Sequence, residues 1–166
     1  INIAYKKTKF NYIVYSHDDF YFCPDWDKFF VDEINQLKHN RFYFSGQMIG
    51  KDILDCGSTY STFNEKKLLN NYKKIKFIDF QGSSWAPHII HKEYWDKVGG
   101  FSEEFFPGAG SDPDLNMKLW TNNVRIFKGV ANSKVYHFDI KTMRKENYYV
   151  GSKSSKIFLM KWKISI

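Results

Sequence analysis

A short run of β-branched and aromatic residues, YIVYS at positions 12–16, has the length of a strand and is apolar on both faces. Such a run is typical of a central parallel strand that helices cover on both sides. The segment that follows, DWDKFFVDEINQLK, has apolar residues every three or four positions, which predicts an amphipathic helix. Its apolar positions are Trp26, Phe29, Phe30, Ile34 and Leu37. A buried strand that leads directly into such a helix indicates an α/β fold.

Strand and helix patterns alternate along the rest of the chain. Strands are predicted at 41–50, in two pieces within 76–92, and in the segments VRIFKGV and SKVYHF. A polar connection rich in Asn and Lys separates the strand at 41–50 from the strands within 76–92. Helices are predicted at KEYWDKV, where two glycines follow as a stop, at SDPDLNMKLWTNN and at SSKIFLMKW. Since there is no internal repeat or clear boundary, we expect residues 1–166 to form a single α/β domain.

The charge of the chain permits an anionic partner without naming one. The net charge is +7 over 166 residues, and most basic residues are scattered lysines, as on a solvated surface. Attraction to phosphate or to an anionic membrane surface is the other interpretation, while no segment resembles a nucleic-acid-binding motif. No apolar run approaches a membrane span, and Cys23 and Cys56 lack any metal-site spacing. We therefore expect free thiols and a cytoplasmic location, with peripheral membrane contact left open.

His17, Asp18 and Asp19 come together directly after the first strand. Adjacent carboxylates repel each other, and leaving either one desolvated without a partner is costly. In an open α/β sheet, ligands bind outside the carboxyl ends of the strands, so this pair is well placed to hold a divalent cation. Carboxylate oxygens suit Mg²⁺ or Mn²⁺, which usually bind substrate phosphates as well. The alternative is a solvated turn whose aspartate caps the following helix.

A second group of acids follows a glycine-rich loop, in GAGSDPDLNMKLW. Ser111 or Asp112 is expected to cap a helix that has Pro113 at its first position. Asp112 at such a cap can still face a cleft and is a candidate general base, whereas a plain cap is the simpler interpretation. His137 ends the apolar segment KVYHF. It is either a satisfied residue of the strand or, if it lies near Asp19, a metal ligand.

Taken in order, these pieces resemble the inverting GT-A glycosyltransferases of family 2. YIVYSHDDFYFCPDW is similar to the family's strand that ends in a DxD-type motif and continues to a helix. GSSWAPHIIHKEYWDKVGGFSEEFF resembles its hydrophobic strand, basic pair and "vGGFdE" segment, and GAGSDPDLNMKLW resembles the start of its G-E-D-x-D-L helix. VYHF and FLMKW are similar to a late strand whose His can complete the metal site and to a "KW" motif. The resemblance covers nearly the whole chain.

The resemblance implies a GT-A fold, with a mixed central sheet flanked by helices. It also implies transfer of a sugar from a nucleotide-diphosphate sugar to an acceptor hydroxyl, with inversion. Asp18 and Asp19 would hold Mn²⁺ or Mg²⁺ against the diphosphate, with Asp19 the more direct ligand and His137 a further one. Asp112 takes the place of the catalytic base that deprotonates the acceptor. The metal would neutralise charge that develops on the departing nucleoside diphosphate.

The same resemblance implies contacts with the two substrates. Trp85, with Ser84 before it, lies where the family contacts the donor sugar or the acceptor. Gly110 belongs to the glycine-rich loop beside the base. Asp114 would either orient its helix or touch the acceptor. The partners would be a nucleotide-sugar donor and a carbohydrate or lipid-linked acceptor.

The sequence departs from the family pattern at Ser111 and Lys118, where a glutamate and an arginine are usual. More important, the family's nucleotide-binding strands precede the strand of Asp18 and Asp19, and few residues precede that strand here. An N-terminally truncated domain would leave this strand as an exposed sheet edge, which invites pairing with a second chain. The alternative to an active enzyme is therefore a non-catalytic GT-A remnant that binds or oligomerises through this edge.

Overall fold

The computed structural model describes residues 2–82, 85–106, 108–138 and 147–166, without the side chains of 147–152. The helices are α1 (Asn2–Tyr5), α2 (Trp26–Gln36), α3 (Glu65–Asn71), α4 (Lys92–Val98), α5 (Ser111–Thr121) and α6 (Asn147–Trp162). The strands are β1 (Tyr12–Tyr15), β2 (Phe20–Phe22), β3 (Phe42–Ile49), β4 (Phe80–Gln81), β5 (His88–His91) and β6 (Ile126–His137). The prediction of an α/β fold is confirmed.

The strands of the described residues form one mixed sheet. Their order is β1-β5-β3-β6-β2, and β4 pairs with β6 outside this path. β3 and β6 run parallel to each other, whereas the other neighbours are antiparallel. The register places Tyr15 opposite His88 and Phe20 opposite His137. Side chains directly opposite each other in an antiparallel pair lie on the same face of the sheet and interact there.

Helices cover both faces of this sheet. On one face α4 and α5 pack through Trp95, Leu115 and Leu119, which belong to a buried cluster with Tyr43 of β3. On the other face α2 packs on the sheet through Phe30, which is 1% exposed. The residues of the predicted α2 stripe all lie in this second cluster, so the amphipathic helix is confirmed. β3 is therefore buried between two helical layers.

β6 is a single strand of twelve residues, where the sequence predicted two short strands. It pairs with β3 in register except for a shift between Ser45 and Gln47. A bulge of this kind lets a long strand stay paired while its local twist changes. Ala131 and Asn132, which separate the two predicted segments, lie within the strand, and Ser133 at the start of the second segment is fully buried. The prediction of two strands was therefore wrong.

β1 lies at one end of the sheet and, among the described strands, pairs only with β5. The strand itself was correctly predicted, but its interpretation as a central parallel strand was wrong for these residues. Tyr12 and Val14 are 40% and 41% exposed and alternate with the half-buried Ile13 and Tyr15. An apolar run indicates what a strand could bury, and the tertiary fold decides what actually covers it.

α3 was not predicted, because its sequence, EKKLLNN, lies within the polar connection. Its start is stabilised by Asn64, whose side chain accepts a hydrogen bond of 2.9 Å from the backbone N–H of Lys67. Its one fully buried side chain, Leu68, packs with Cys23, Cys56 and other residues under the end of β3. One apolar anchor and a cap are thus enough to place this short helix.

α6 is longer than the predicted helix at SSKIFLMKW. Phe158 is 1% exposed and contacts Phe105, with ring centroids 6.5 Å apart. Phe105 belongs to a short 3₁₀ turn that precedes α5, so α6 is docked beside the start of α5. In the part of the chain that the structure describes, no helix has both the length and the apolar character that crossing a membrane requires.

We expect the edge of β1 to pair with a second chain, because exposed apolar side chains and backbone groups on a sheet edge favour strand addition. The interface would include residues 12–16. Val14→Lys places a charge at this edge and should shift an assembly toward the monomer. Size-exclusion chromatography with light scattering at low micromolar concentration measures the mass. Ile78→Lys, at a position 80% exposed elsewhere, is the control, and a wild-type protein that runs as a clean monomer contradicts the prediction.

Candidate functional site

Asp19 and His137 are brought together by the pairing of β2 with the end of β6. Nε2 of His137 lies 3.0 Å from Oδ2 of Asp19. The backbone N–H of Phe138 donates a hydrogen bond of 3.0 Å to the carbonyl oxygen of Asp19. The side chains of His137 and Asp19 remain 30% and 20% exposed, respectively. The pair is thus held by strand pairing and still faces solvent.

His17 and Asp18 are exposed in the turn between β1 and β2. The ring of His17 stacks on Phe20, with centroids 5.1 Å apart, and meets the edge of Tyr15 at 5.6 Å. Phe20 in turn contacts the ring of His137 edge-on at 5.1 Å. A continuous row of ring contacts therefore runs from the end of β1 to His137.

Asp112 lies in the first turn of α5, which begins at Ser111. The cap predicted at Ser111 or Asp112 is not formed. Instead Gly110 precedes the helix with φ of 83°, in the left-handed region that favours glycine. Burial raises the pKa of the Asp112 carboxyl to about 6, although the charge of a protonated His17 opposes the rise.

Oδ1 of Asp112 is buried and has no hydrogen-bond partner among the described residues. A buried carboxylate oxygen without a donor is costly, which is the physical reason that the protonated form is favoured here up to a higher pH than usual. A carboxyl group with a pKa near neutrality and an available oxygen is what a general base requires. The geometry therefore supports Asp112 as a candidate base.

Two tyrosines that the sequence analysis did not single out interact electrostatically with Asp112, and a histidine bonds to one of them. Burial raises the pKa of Tyr43 well above its ordinary value, and the charge of Asp112 adds to this rise. Burial likewise raises the pKa of Tyr15, with further contributions from Asp112 and then from Asp18. Nδ1 of His88 lies 2.8 Å from the hydroxyl oxygen of Tyr43. Tyr15 is thus within electrostatic reach of both acidic segments and connects them.

His88 is fully buried and stays neutral. Burial lowers its pKa to about 3, and the charge of a nearby His17 contributes to the lowering. Its Nε2 atom has no hydrogen-bond partner among the described residues. The available signal in the sequence was the pair of histidines that flank two isoleucines in HIIH, and the structure places the first of them opposite Tyr15. Tyr43, which interacts with Asp112, therefore bonds to the polar but uncharged ring of His88.

Asp114 differs from Asp112 in that both of its carboxylate oxygens have partners. It is fully buried, and Oγ of Ser102 donates a hydrogen bond of 2.6 Å to its Oδ2. The indole N–H of Trp162 donates one of 2.8 Å to Oδ1, and Nζ of Lys161 lies 2.9 Å from the same oxygen. Because both oxygens are occupied, Asp114 has no surface with which to touch an acceptor. Of the two roles expected for it, orienting the helix agrees with this geometry and substrate contact does not.

Trp85 stacks on Phe80 of β4, with ring centroids 5.4 Å apart. Phe80 lies over Gly129 of β6, where an added Cβ would come within 2.3 Å of the ring. The glycine thus lets the two aromatic rings lie flat on the sheet. Nε1 of the half-buried Trp85 is itself buried and has no partner among the described residues, so the donor-sugar contact expected of Trp85 stays a prediction. Ser84 lies outside the described residues, and the substrate contact of Gly110 stays a prediction.

The Asp19–His137 pair offers a carboxylate oxygen and an imidazole nitrogen, both of which Mn²⁺-class metals accept. Within the described ranges, no group of three or more His, Cys, Asp or Glu side chains could hold a metal ion. A metal held here would take its other ligands from water and substrate, as Mg²⁺ usually does. The donor set therefore fits an ion that binds together with an anionic substrate, and not one enclosed by the protein.

No family model matches the sequence, and no curated protein is significantly similar to it. The fold and the site are therefore the basis for any assignment of function. The fold contains a mixed sheet flanked by helices. The site contains a carboxylate–imidazole pair and, near the end of β1, a separate acid with a buried oxygen. The resemblance to a glycosyltransferase family rests on the motifs and their order.

We expect Asp114→Asn to destabilise the protein by about 1.5–3 kcal/mol, the typical worth of a hydrogen bond to a charged group, since Lys161 stays partly exposed and keeps its contact with Glu104. The amide keeps the size of the side chain but removes the charge that Lys161 faces. Urea denaturation followed by tryptophan fluorescence measures the free energy of unfolding. Asp52→Asn, at an exposed position, should change it by less than about 0.5 kcal/mol. Equal stability of the two variants would contradict the role assigned to Asp114.

Proposed function

We propose that this protein is a GT-A-type glycosyltransferase similar to the inverting enzymes of family 2. It transfers a sugar from a nucleotide-diphosphate sugar to an acceptor hydroxyl, with inversion at the anomeric carbon. The observation that supports this most is that Asp112 and Asp18 both lie within electrostatic reach of Tyr15, and Asp18 adjoins the Asp19–His137 pair. A candidate base and candidate diphosphate-binding acids thus share one region of the sheet.

Asp112 acts as the general base in this proposal. With a pKa of about 6 it is mostly ionised at neutral pH, yet it is more basic than an ordinary aspartate. The half-buried carboxylate of Asp112 is the group that would accept the proton of the acceptor hydroxyl. The neutral ring of His88 adds no positive charge that would make Asp112 a weaker base. In-line attack by the deprotonated oxygen on the anomeric carbon gives inversion.

Asp19 and His137 would hold Mn²⁺ or Mg²⁺, with the exposed Asp18 beside them. When bound, such an ion supplies charge neutralisation for the departing nucleoside diphosphate. The protein's own contribution is to position the two side chains. The pairing of Phe20 with His137 and the hydrogen bond from the N–H of Phe138 keep Asp19 and the imidazole on the same side of the strand end.

The donor in this proposal is a nucleotide sugar, and the acceptor is a carbohydrate or a lipid-linked molecule. The net charge of +7 favours an anionic donor. The second candidate function is a non-catalytic domain that associates through its sheet edge, which the exposure of Tyr12 and Val14 favours. The two functions differ in one measurable property, because only the enzyme needs to bind a nucleoside diphosphate.

We expect a nucleoside diphosphate, UDP or GDP, to bind in the presence of Mn²⁺ and to bind at least about tenfold more weakly to Asp19→Ala. The reason is that the variant removes the carboxylate that faces His137. Isothermal titration on the protein at its full encoded length measures both affinities. Asp52→Ala is the matched control and should bind like the wild type. Equal binding by wild type and Asp19→Ala would exclude this site, and absence of binding by the wild type would contradict the proposed function.

We expect Asp112→Asn to lower the transfer rate by about 10²–10⁴-fold while donor binding changes little, because the variant loses the proton acceptor and keeps its shape. The wild-type rate should rise with pH through about 6, where Asp112 ionises. Product formation followed from pH 5 to pH 8 tests both statements. Near-normal turnover of the variant would remove Asp112 from the mechanism.

The same variant has an expected effect on stability that separates loss of function from unfolding. The folded-state pKa of Asp112 is raised from 3.8 to about 6, so its stabilising protonation is lost as pH rises across this range. At pH 7 the ionised group therefore costs on the order of 2 kcal/mol. Asp112→Asn should accordingly be as stable as the wild type or more stable at neutral pH.

A further inference from the structure

A cavity of about 490 Å³ opens between the end of β1, α1 and the start of α5. Tyr15 and Ser111 form part of its wall, and Ser111 directly precedes Asp112. The rest of the wall comes from α1 and from the segment that follows α4, including Phe101 and Phe105. Tyr15, which interacts electrostatically with Asp112, thus connects this cavity to the acid that would accept a proton.

The lining of this cavity is mainly apolar. Phe101, Phe105, Phe106 and Ile3 contribute to it, and the last two are 84% and 76% exposed. Large apolar side chains that border a cavity and stay exposed to water are typical of a surface that a ligand covers. Among the described residues that line the cavity there is no lysine or arginine, and Glu103 is the one charged group. Lys118 and Lys161 donate to Oγ of Ser102 in the wall, but both ammonium groups also face the carboxylate of Asp114. The lining therefore offers a diphosphate little uncompensated positive charge and suits a neutral apolar group.

The wall of the cavity is held in place by specific contacts. Nδ2 of Asn2 donates a hydrogen bond of 2.8 Å to the carbonyl oxygen of Phe101, and the N–H of Phe101 donates one of 3.2 Å to Oδ1 of Asn2. Tyr5 packs against Trp95, with ring centroids 5.8 Å apart. Gly100 has φ of 65°, and an added Cβ would lie 2.6 Å from Asn2, so the close approach of α1 depends on this glycine. The cavity is therefore largely preformed.

We propose that this cavity binds the acceptor, and that the acceptor carries an apolar or aromatic group close to the hydroxyl that receives the sugar. The hydroxyl lies toward Tyr15 and Ser111, next to Asp112, and the apolar group lies against Phe106 and Ile3. This inference rests on the proposed function for the identity of the ligand as an acceptor. It adds the chemical class of that acceptor, which the metal-binding and base residues do not determine.

Two sugars that differ only in their apolar group test the inference. Octyl β-D-glucopyranoside, below its micelle concentration, and methyl β-D-glucopyranoside are titrated separately into the wild-type protein by calorimetry. We expect the octyl glucoside to bind at least about tenfold more tightly, because its chain covers the exposed apolar side chains. Ile3→Ser and Phe106→Ser should each weaken its binding by about fivefold or more and leave the fold intact, since both side chains are already exposed.

Ile78→Ser is the matched control, because Ile78 is 80% exposed and does not line the cavity. Its affinity for octyl glucoside should equal that of the wild type. Equal affinity for the two glucosides, or equal losses in Ile3→Ser and Ile78→Ser, overturns the inference. Nucleotide binding without preferential octyl glucoside binding also overturns it and leaves the proposed function standing. Octyl glucoside binding lost in Ile3→Ser and Phe106→Ser, without nucleotide binding, supports the apolar site and overturns its assignment to an acceptor.

Discussion

The pairing of β6 is the constraint on which the rest of the structure depends. This strand bonds to β3 on one side and to β2 and β4 on the other, so its register positions three strands at once. Because successive side chains point to opposite faces, a slip of one residue would turn His137 away from Phe20 and Asp19. The buried neighbours Val135 and Tyr136, at 0% and 1% exposure, would lose their packing in such a slip. Core packing therefore protects the geometry of the exposed pair at the end of the strand.

Asp112 and Asp114 show how one helical turn can hold two carboxylates in different states. Asp114 receives hydrogen bonds from Ser102 and Trp162 and faces Lys161, so it is a fixed element of the packing. Asp112 is partly buried, and one of its oxygens has no hydrogen-bond partner among the described residues. This burial raises the pKa of its carboxyl group. Chemically identical groups acquire different roles when their environments differ in this way. The contacts of Asp114 fix the helix, and the same helix holds Asp112 with one oxygen unpartnered.

The features predicted from the sequence are those whose signals are local. The apolar spacing of α2 and the glycine stop after α4, where Gly99 adopts φ of 72°, need no knowledge of the fold. The order of the acidic motifs also led to Asp19 and His137, which the structure places 3.0 Å apart, while their role as metal ligands stays a prediction. The edge position of β1, the continuity of β6 and the role of His88 depend on partners far away in the sequence. Local patterns could not predict these features, because burial and strand order are properties of the assembled sheet.

The contacts of Asp114 have a consequence for the order of events during synthesis. Trp162 follows Asp114 by 48 positions in the chain, and Lys161 is its neighbour. Chains emerge from the ribosome N-terminal end first, so α5 leaves it well before these two partners exist. A carboxylate buried without partners is costly, and α5 therefore has no stable final position until α6 has been translated and docked. The first turn of α5, which also carries Asp112, therefore reaches its final position only after Trp162 has been added to the chain.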